Sequence, residues 1–534
     1  MSVPRRRFVT LGAVGAAAGV FGSVCGAPLF AAAPAPHILR RSRGGNLTTL
    51  DPHRPISSAD MEIVADSFVG LTAIDARGEI VAGCARDWTV SADGRRWEFR
   101  LRPGLLWSDG RAITAEDFVG SMRRLLAPET GALLAYRYDA IRGARAVREG
   151  KAAANSLGVS AAARDRVVFE LERPETDLPK LLAIAYAVPM HIVAAVGREW
   201  AKPPAMVVNG AYRPVSWAQN GTLVLEANPR WYGDASKLVP RVEWRMGIDD
   251  ATRLRAFRAG DLDIAQISDG AQLALARREL GSALHSVPFY GGGWVGLNLR
   301  RPALADLRVR RALDLALDRE VLCAKVRALG EHPSTSLVPD AVADYPTHAA
   351  SEYAAWPRDR RSAEALRLAR DAGLSKAKPR ELVAIFSSNS LTERMFLAIG
   401  AMWAPLGVKV TARGLESRAY NLALNSGDFD LMDYGPFSAV RSATSFIGRF
   451  RSTSFLNYSG YRELEVDRGI DLAESQRDPR ERARFYLEVE KRLLQDLPVL
   501  PIYSGVAHRL VSSHVRGWVP NPGLSLPSHF LSMV

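Results

Sequence analysis

Three carboxylates and one guanidinium crowd a short stretch, GDFDLMDYGPFSAVRSATSF, spanning residues 427–446. Asp428, Asp430 and Asp433 precede Gly435-Pro436, and Arg441 follows after four more uncharged side chains. Clustered acids can serve as general acid and base, and an arginine can hold an anionic group in a bidentate fork. The spacing points elsewhere for two of the acids. Asp428 and Asp430 alternate with Phe429 and Leu431, the period of a strand with one apolar face. A second set, Asp109, Glu116 and Asp117, sits in an S-D-G turn and at a helix start, where carboxylates cap free N–H groups. No HExxH, G-x-S-x-G, GxxxxGK[ST] or post-strand GxGxxG occurs. Gly291-Gly292-Gly293 precedes the strand-like Val295-Gly296-Leu297-Asn298 and reads as a flexible joint. The nine histidines show no ligand spacing. The reading is of a protein that is not an enzyme, with no metal site and no cofactor.

The elements that position these residues belong to a long α/β chain. Its 534 residues exceed one ordinary core, and the hydrophobic 47% and charged 24% are those of a globular protein. The formal charge of +13 includes Arg5, Arg6 and Arg7, whose removal leaves +10 dispersed among acids. Without a clustered basic stripe, nucleic-acid binding is not expected. Arg5-Arg6-Arg7-Phe8 followed by an Ala/Gly-rich apolar run and Ala31-Ala32-Ala33 reads as an export signal over residues 1–33, of the twin-arginine type, cleaved on export to the periplasm. Gly22-Ser23-Val24 is a poor match for lipoprotein acylation at Cys25. Cys84 and Cys323 are far apart and lack metal spacing, so both read as small buried side chains.

Strand and helix patterns then alternate. Trp88–Val90 and Trp97–Leu101 flank Asp93-Gly94 as a hairpin. Thr114 and Asp117 form a capping pair before a helix carrying Phe118, Met122 and Leu125. Leu223–Ala227 is a strand, Asp249-Asp250 caps a helix ended by Gly260, and Leu262–Ile264 is a strand. Helices are expected over 307–317, 391–403 and from Asp478-Pro479 to about Leu494, and strands at 408–410 and 498–503.

The order of several motifs resembles the family of periplasmic oligopeptide-binding proteins, the extracytoplasmic receptors of peptide-type ABC importers (solute-binding protein family 5). The motifs are Leu50-Asp51-Pro52-His53, DWTVSADGRRWEFRLRPGLLWSDGRAITAEDF (87–118), NGAYRPVSW (209–217), LEANPRWYGD (225–234), DDATRLRAFRAGDLDI (249–264) and GLNLRRPALADLRVRRALDLALDRE (296–320). The resemblance implies a periplasmic-binding-protein-like α/β fold of class II (cluster C), with two main lobes, a two-crossover hinge and an inserted lobe. Lobe I would comprise 34–74, 183–287 and 502–534, lobe II 75–182, and lobe III 288–501. Hinge closure around an oligopeptide or small polar solute, by a monomer that then meets an inner-membrane ABC permease, is implied as well.

In that family a strand of the form Gly-Trp-x-x-Asp, a few residues before Pro-Thr-Ser-Phe, lines the cleft and its Asp holds the ligand ammonium. Setting Ala443-Thr444-Ser445-Phe446 on the second motif puts Gly435 on the Gly, Pro436 on the Trp and Ala439 on the Asp. The cleft strand then comprises Gly435, Pro436, Phe437, Ser438 and Ala439, without its acid. Ser417 falls on an aromatic lining position, and Ser57 and Ser58 on the ligand-facing N-terminal strand. Asp433 is a candidate replacement amine anchor and Arg441 a candidate carboxylate anchor. The alternatives are that Asp433 pairs with a neighbouring base and that Arg441 is a solvated loop residue. Pro436 removes one donor from the peptide-pairing ladder. A non-peptide ligand (an opine-like conjugate, modified peptide or metal chelate), or a chaperone or enzyme reusing the fold, are the alternative functions.

Overall fold

The computed structural model describes residues 38–54, 58–218, 221–438, 440–523 and 526–534. The export signal, Ser57 and Ala439 lie outside them.

One large sheet organises the chain. From one edge its strands run Val408–Leu415, Arg380–Ser387, Leu431–Tyr434, Leu284–Leu297, Val499–Val511, Ile264–Ile267, Ile38–Ser42, Arg241–Arg245, Thr222–Ala227 and Tyr212–Trp217; His332–Pro333 adds to Val499–Val511 off this path. The centre is the antiparallel pair of the two longest strands, in register from Leu284↔Leu510 to Gly296↔Val499. Residues 506–511 of the second strand sit among the strands of one half, and residues 499–504 pair towards the other. These two strands therefore carry the chain from half to half.

Gly291-Gly292-Gly293 is not a loop. It lies inside the Leu284–Leu297 strand, next to the register shifts at Pro288/Gly292 and Gly293/Trp294. Glycine is required there because the partner strand packs against it. A Cβ on Gly293 would stand 2.2 Å from Tyr503 Cε1, and one on Gly292 2.4 Å from the Tyr503 carbonyl oxygen.

Beyond the glycines the strand alternates faces, as the period of two requires. Trp294 packs with Tyr434, Phe450 and the helices Leu464–Ser475 and Pro479–Asp496. Val295 and Leu297 face the other core, with Val309, Phe396 and Trp403 from the helices Leu307–Leu315 and Ser390–Trp403.

A separate four-stranded sheet, ordered Ala85–Val90, Arg96–Leu101, Arg166–Glu170 and Val159–Ala163, is covered by the Ala115–Leu126 helix. The hairpin turn forms at Asp93-Gly94, where the Gly94 N–H donates to the Ser91 carbonyl at 3.0 Å and φ is 73°. Thr114 and Asp117 make the expected capping box, and Phe118, Met122 and Leu125 are buried. Asp249 and Asp478 cap the helices Asp250–Arg258 and Pro479–Asp496 as read from the sequence.

Two strands differ from expectation. The strand expected at 262–264 starts at Ile264, because Leu262 and Asp263 complete the turn after Gly260. The strand expected at 498–503 continues to Val511. Its extension includes His508 and Arg509, which break the apolar pattern. His508 is nevertheless 1% exposed, bonded to the Leu329 carbonyl at 2.7 Å and Ser286 Oγ at 2.8 Å.

Candidate functional site

Residues from several distant stretches of chain line a chamber of about 1160 Å3, the open solvent at its mouth included. The helix Ser58–Ser67 and the turn behind it contribute Phe68 and Val69. The 3-10 turn Ala135–Tyr138 contributes Arg137 and Tyr138, and the segment after Leu182 contributes Ile184 and Tyr186. Phe437 and Ser438 close the far wall. Most of this lining is apolar, as in a pocket that desolvates its ligand. Its polar groups are largely committed. Glu62 accepts from Arg41 at 3.2 Å and from Arg43; burial pushes its pKa up, and the three cations Arg43, Arg509 and Arg41 outweigh that and hold it low. His53 Nε2 donates to the Tyr186 carbonyl at 2.9 Å and Nδ1 accepts from Arg124. Burial first, then the Arg124 charge, lowers its pKa to about 4. His529, in tilted ring contact with Trp231 and Phe530, is likewise lowered to about 4 by burial. Both imidazoles are neutral at pH 7.

A second, polar cavity of about 1290 Å3 adjoins the chamber at Arg137, which lines both. Its walls come from residues 136–181 on one side and 440–474 on the other. Charged pairs bridge these walls. Arg173 meets Glu474 at 2.5 Å, Lys180 meets Asp344 at 3.1 Å and the Arg441 carbonyl at 2.8 Å, and Ser442 donates to Asp177 at 2.6 Å. Arg482 reaches both Thr176 and Asp177. Burial raises the Asp177 pKa, but the Lys180 and Arg482 cations overcome it and hold the carboxyl low. Glu175 is different. Burial, then repulsion from Glu474 and Asp177, pushes its pKa up to about 8, so it holds a proton at neutral pH.

The segment Gly435–Ser438 follows the Leu431–Tyr434 strand and pairs on one side only, through a single bridge between Gly291 and Phe437. Gly292 N–H donates to the Pro436 carbonyl at 3.1 Å and Ser438 N–H to the Tyr290 carbonyl at 2.8 Å, so Gly435–Ser438 runs along the central strand pair. The Phe437 carbonyl accepts from Arg449 at 3.1 Å. Ser438 Oγ donates to the Val440 carbonyl and bonds Ser445. Of the candidates drawn from the sequence, Phe437 and Ser438 line the chamber. Gly435 and Pro436 lie beside them. Ser58 opens the helix below the chamber.

Others stand apart from both cavities. Ser417 begins the helix Ser417–Ser426 with its hydroxyl 3.3 Å from Ser387. The Asp433 carboxylate turns to Thr392 at 3.4 Å; burial raises its pKa against the pull of Arg327. Arg441 makes a two-point contact with Glu79 at 2.9 and 3.1 Å. Asp428 and Asp430 have structural work, Asp430 accepting the Val383 N–H at 2.8 Å and facing Arg301. Asp109 accepts the Arg111 N–H and bonds His191. Cys84 and Cys323 are buried free thiols whose pKa burial pushes up to about 12. The chamber residues Phe68, Arg137, Tyr138 and His529, and Glu175 and Arg449 of the polar cavity, carried no motif.

A solvent-open apolar chamber beside a polar cavity with paired walls, in a chain whose two longest strands link two halves of one sheet, is the architecture of a solute-capturing receptor. The model of bacterial extracellular solute-binding proteins, family 5, matches residues 79–457, and the chain belongs to this family. It has the periplasmic-binding-protein α/β fold expected from the sequence and is the receptor component of an ABC importer. A probable deoxycholate-binding periplasmic protein of Escherichia coli is 31% identical over 507 residues, covering 93% of this chain and 94% of that protein. The periplasmic oligopeptide-binding protein of Escherichia coli is 29% identical, with 90% and 89% covered. The solved murein tripeptide binding protein of Escherichia coli superposes with a TM-score of 0.87 at 27% identity, covering 93% and 98% of the two chains. Against that protein's unliganded open form the score is 0.72, with 93% and 97% covered. The bridged walls of the polar cavity accord with the lower similarity to the open form.

Proposed function

We propose that this receptor captures oligopeptides in the chamber and releases them to an inner-membrane permease. Periplasmic binding proteins are a well-known example of hinge closure around ligand. In this reading lobe I comprises 34–74, 183–287 and 502–534, lobe II 75–182 and lobe III 288–501, with the Leu284–Leu297 and Val499–Val511 strands as the two crossovers. A ligand touching both sides binds the closed arrangement better and shifts the population towards it. The protein works as a monomer in the periplasm after twin-arginine export, with the leader removed.

One observation supports the peptide reading: the Gly435–Ser438 segment pairs with the central strand on one side only, and its Phe437 and Ser438 line the chamber. Such an edge can add a peptide backbone as a further strand while side chains project into tolerant space. Pro436 turns its main chain to Gly292 on the paired side, so its missing N–H takes nothing from the outer edge; there the Phe437 carbonyl already accepts from Arg449, which leaves fewer main-chain bonds than a free edge would offer. The relatives named for oligopeptide and murein tripeptide binding support the same class. Native mass spectrometry of protein purified from its own periplasm tests it. Co-purifying peptides are expected; a single non-peptide ligand in every preparation would overturn the peptide assignment.

A further inference from the structure

Arg137 stands out among the charged groups of the chamber. It is half-buried and lines the apolar chamber and the polar cavity together; its backbone N–H donates to the Leu134 carbonyl at 3.1 Å, but its guanidinium has no hydrogen bond or ion pair to any described residue. Its neighbours behave otherwise. Arg124 is forked onto Asp51, Arg173 and Arg451 hold Glu474, and Arg148 holds Asp139. A guanidinium partly withdrawn from water against apolar walls is costly unless an anion meets it.

Arg449 provides a second cation on the same passage. It is 6% exposed and bonds the Ser445 and Phe437 carbonyls and the Tyr434 hydroxyl, with no carboxylate. It is thus held rigidly against the cleft strand, and its charge is not neutralised there. Two guanidiniums without acids, on opposite walls of the junction, make a positive gate between an apolar chamber and a polar one. Glu62, the acid of the chamber, is already shared among arginines, and Glu175 in the polar cavity is kept neutral by burial and its acidic neighbours.

We infer that Arg137 is a specificity-determining anchor for the carboxylate of a ligand whose bulky apolar group fills the chamber. This deepens, and rests on, the capture reading above. The chemistry fits a short peptide ending in a large apolar residue, and equally a non-peptide amphipathic carboxylate. Arg137 binds the carboxylate as a fork, and Arg449 adds longer-range attraction. A charged amine in the chamber would meet cations and no free acid.

Calorimetric titration with three probes tests this: the tripeptide Ala-Ala-Phe, its C-terminal amide, and deoxycholate. Wild type is expected to bind the free acid at least tenfold tighter than the amide. Arg137→Ala should lose that preference, weakening the acid about tenfold and leaving the amide unchanged, with an unaltered melting temperature. Arg137→Lys should restore part of it. Equal binding of acid and amide by wild type, or full acid affinity in Arg137→Ala, overturns the anchor while the peptide reading stands. Arg137-dependent binding of deoxycholate alone supports the anchor and overturns the peptide reading. If wild type binds none of the three probes, the ligand chemistry inferred here is wrong.

Discussion

Arg441 and Glu79 lie 362 residues apart and meet through two nitrogen–oxygen contacts of 2.9 and 3.1 Å. Both side chains remain partly open to water, at 34% and 53%. The pair joins the Ile80–Ala82 hairpin region to the loop behind the cleft strand, so it clasps two parts that belong to different lobes in the proposed arrangement. Exposed pairs are worth about 0–1 kcal/mol. Arg441→Ala should therefore weaken every ligand by no more than about fivefold, irrespective of ligand charge, and the loss should shrink at high salt. Titrations with charged and neutral ligands at two ionic strengths check this. A tenfold loss confined to anionic ligands would return Arg441 to the role of ligand anchor.

Glu175 predicts a pH dependence. Its pKa is raised from 4.5 to about 8 by burial and by Glu474 and Asp177. The folded state then binds more protons than the unfolded state between these values. Its contribution is present below 4.5 and lost as pH rises through about 8. His53 and His529, lowered to about 4 from 6.5, act in the opposite sense: their contribution is present above 6.5 and lost as pH falls towards 4. Above pH 6.5 the Glu175 trend stands clear of both histidines. Melting temperature should fall between pH 6.5 and 8.5 in wild type, and Glu175→Gln should flatten that fall with little change at pH 5. An identical slope in the variant would sink the assignment.

What the sequence made legible was local. Thr114 with Asp117, Asp93-Gly94 and Asp478-Pro479 specify their caps and turns through neighbours three residues away or nearer, so pattern alone finds them. The order of motifs carried the family. The chamber was harder to read, because Phe68, Arg137, Ile184 and Phe437 converge from distant segments and each is ordinary in its own context. Arg137 sits in AYRY, which resembles any amphipathic turn. Arg441, conspicuous in sequence for its isolation among uncharged residues, finds its partner at Glu79, which no local pattern could supply. Gly291-Gly292-Gly293 reads as a flexible joint from sequence, yet lies inside the Leu284–Leu297 strand, because close packing by another strand leaves no mark except the missing side chains.

That packing is testable. Gly293→Ala places a Cβ 2.2 Å from Tyr503 Cε1, inside contact distance of a partly buried ring packed against the core. Overpacking of this kind costs about 1–3 kcal/mol. Calorimetry should show a lower melting temperature. If the strand pair is the hinge, the variant should also shift the small-angle scattering profile of the ligand-free protein. Wild-type stability in Gly293→Ala would mean that the strands separate without penalty.

Glu490 gives the last prediction. It lies on the Pro479–Asp496 helix, whose charged sequence suggests a solvated face, yet it is 0% exposed. Its carboxylate accepts from Ser336 Oγ at 2.7 Å, Leu337 N–H at 2.6 Å, Tyr345 hydroxyl at 2.7 Å and Ala349 N–H at 2.9 Å. It thereby organises the segment between residues 336 and 349, where Asp344 meets Lys180 across the polar cavity. Each buried donor left without an acceptor costs about 1–3 kcal/mol, so Glu490→Leu should lose on the order of 3–5 kcal/mol, seen as a lower denaturant midpoint. Because the same segment presents Asp344, hydrogen exchange over residues 336–349 should accelerate first, and ligand affinity should fall with it. Unchanged exchange alongside a lowered midpoint would separate the helix's stability from the loop and place Asp344 under some other control.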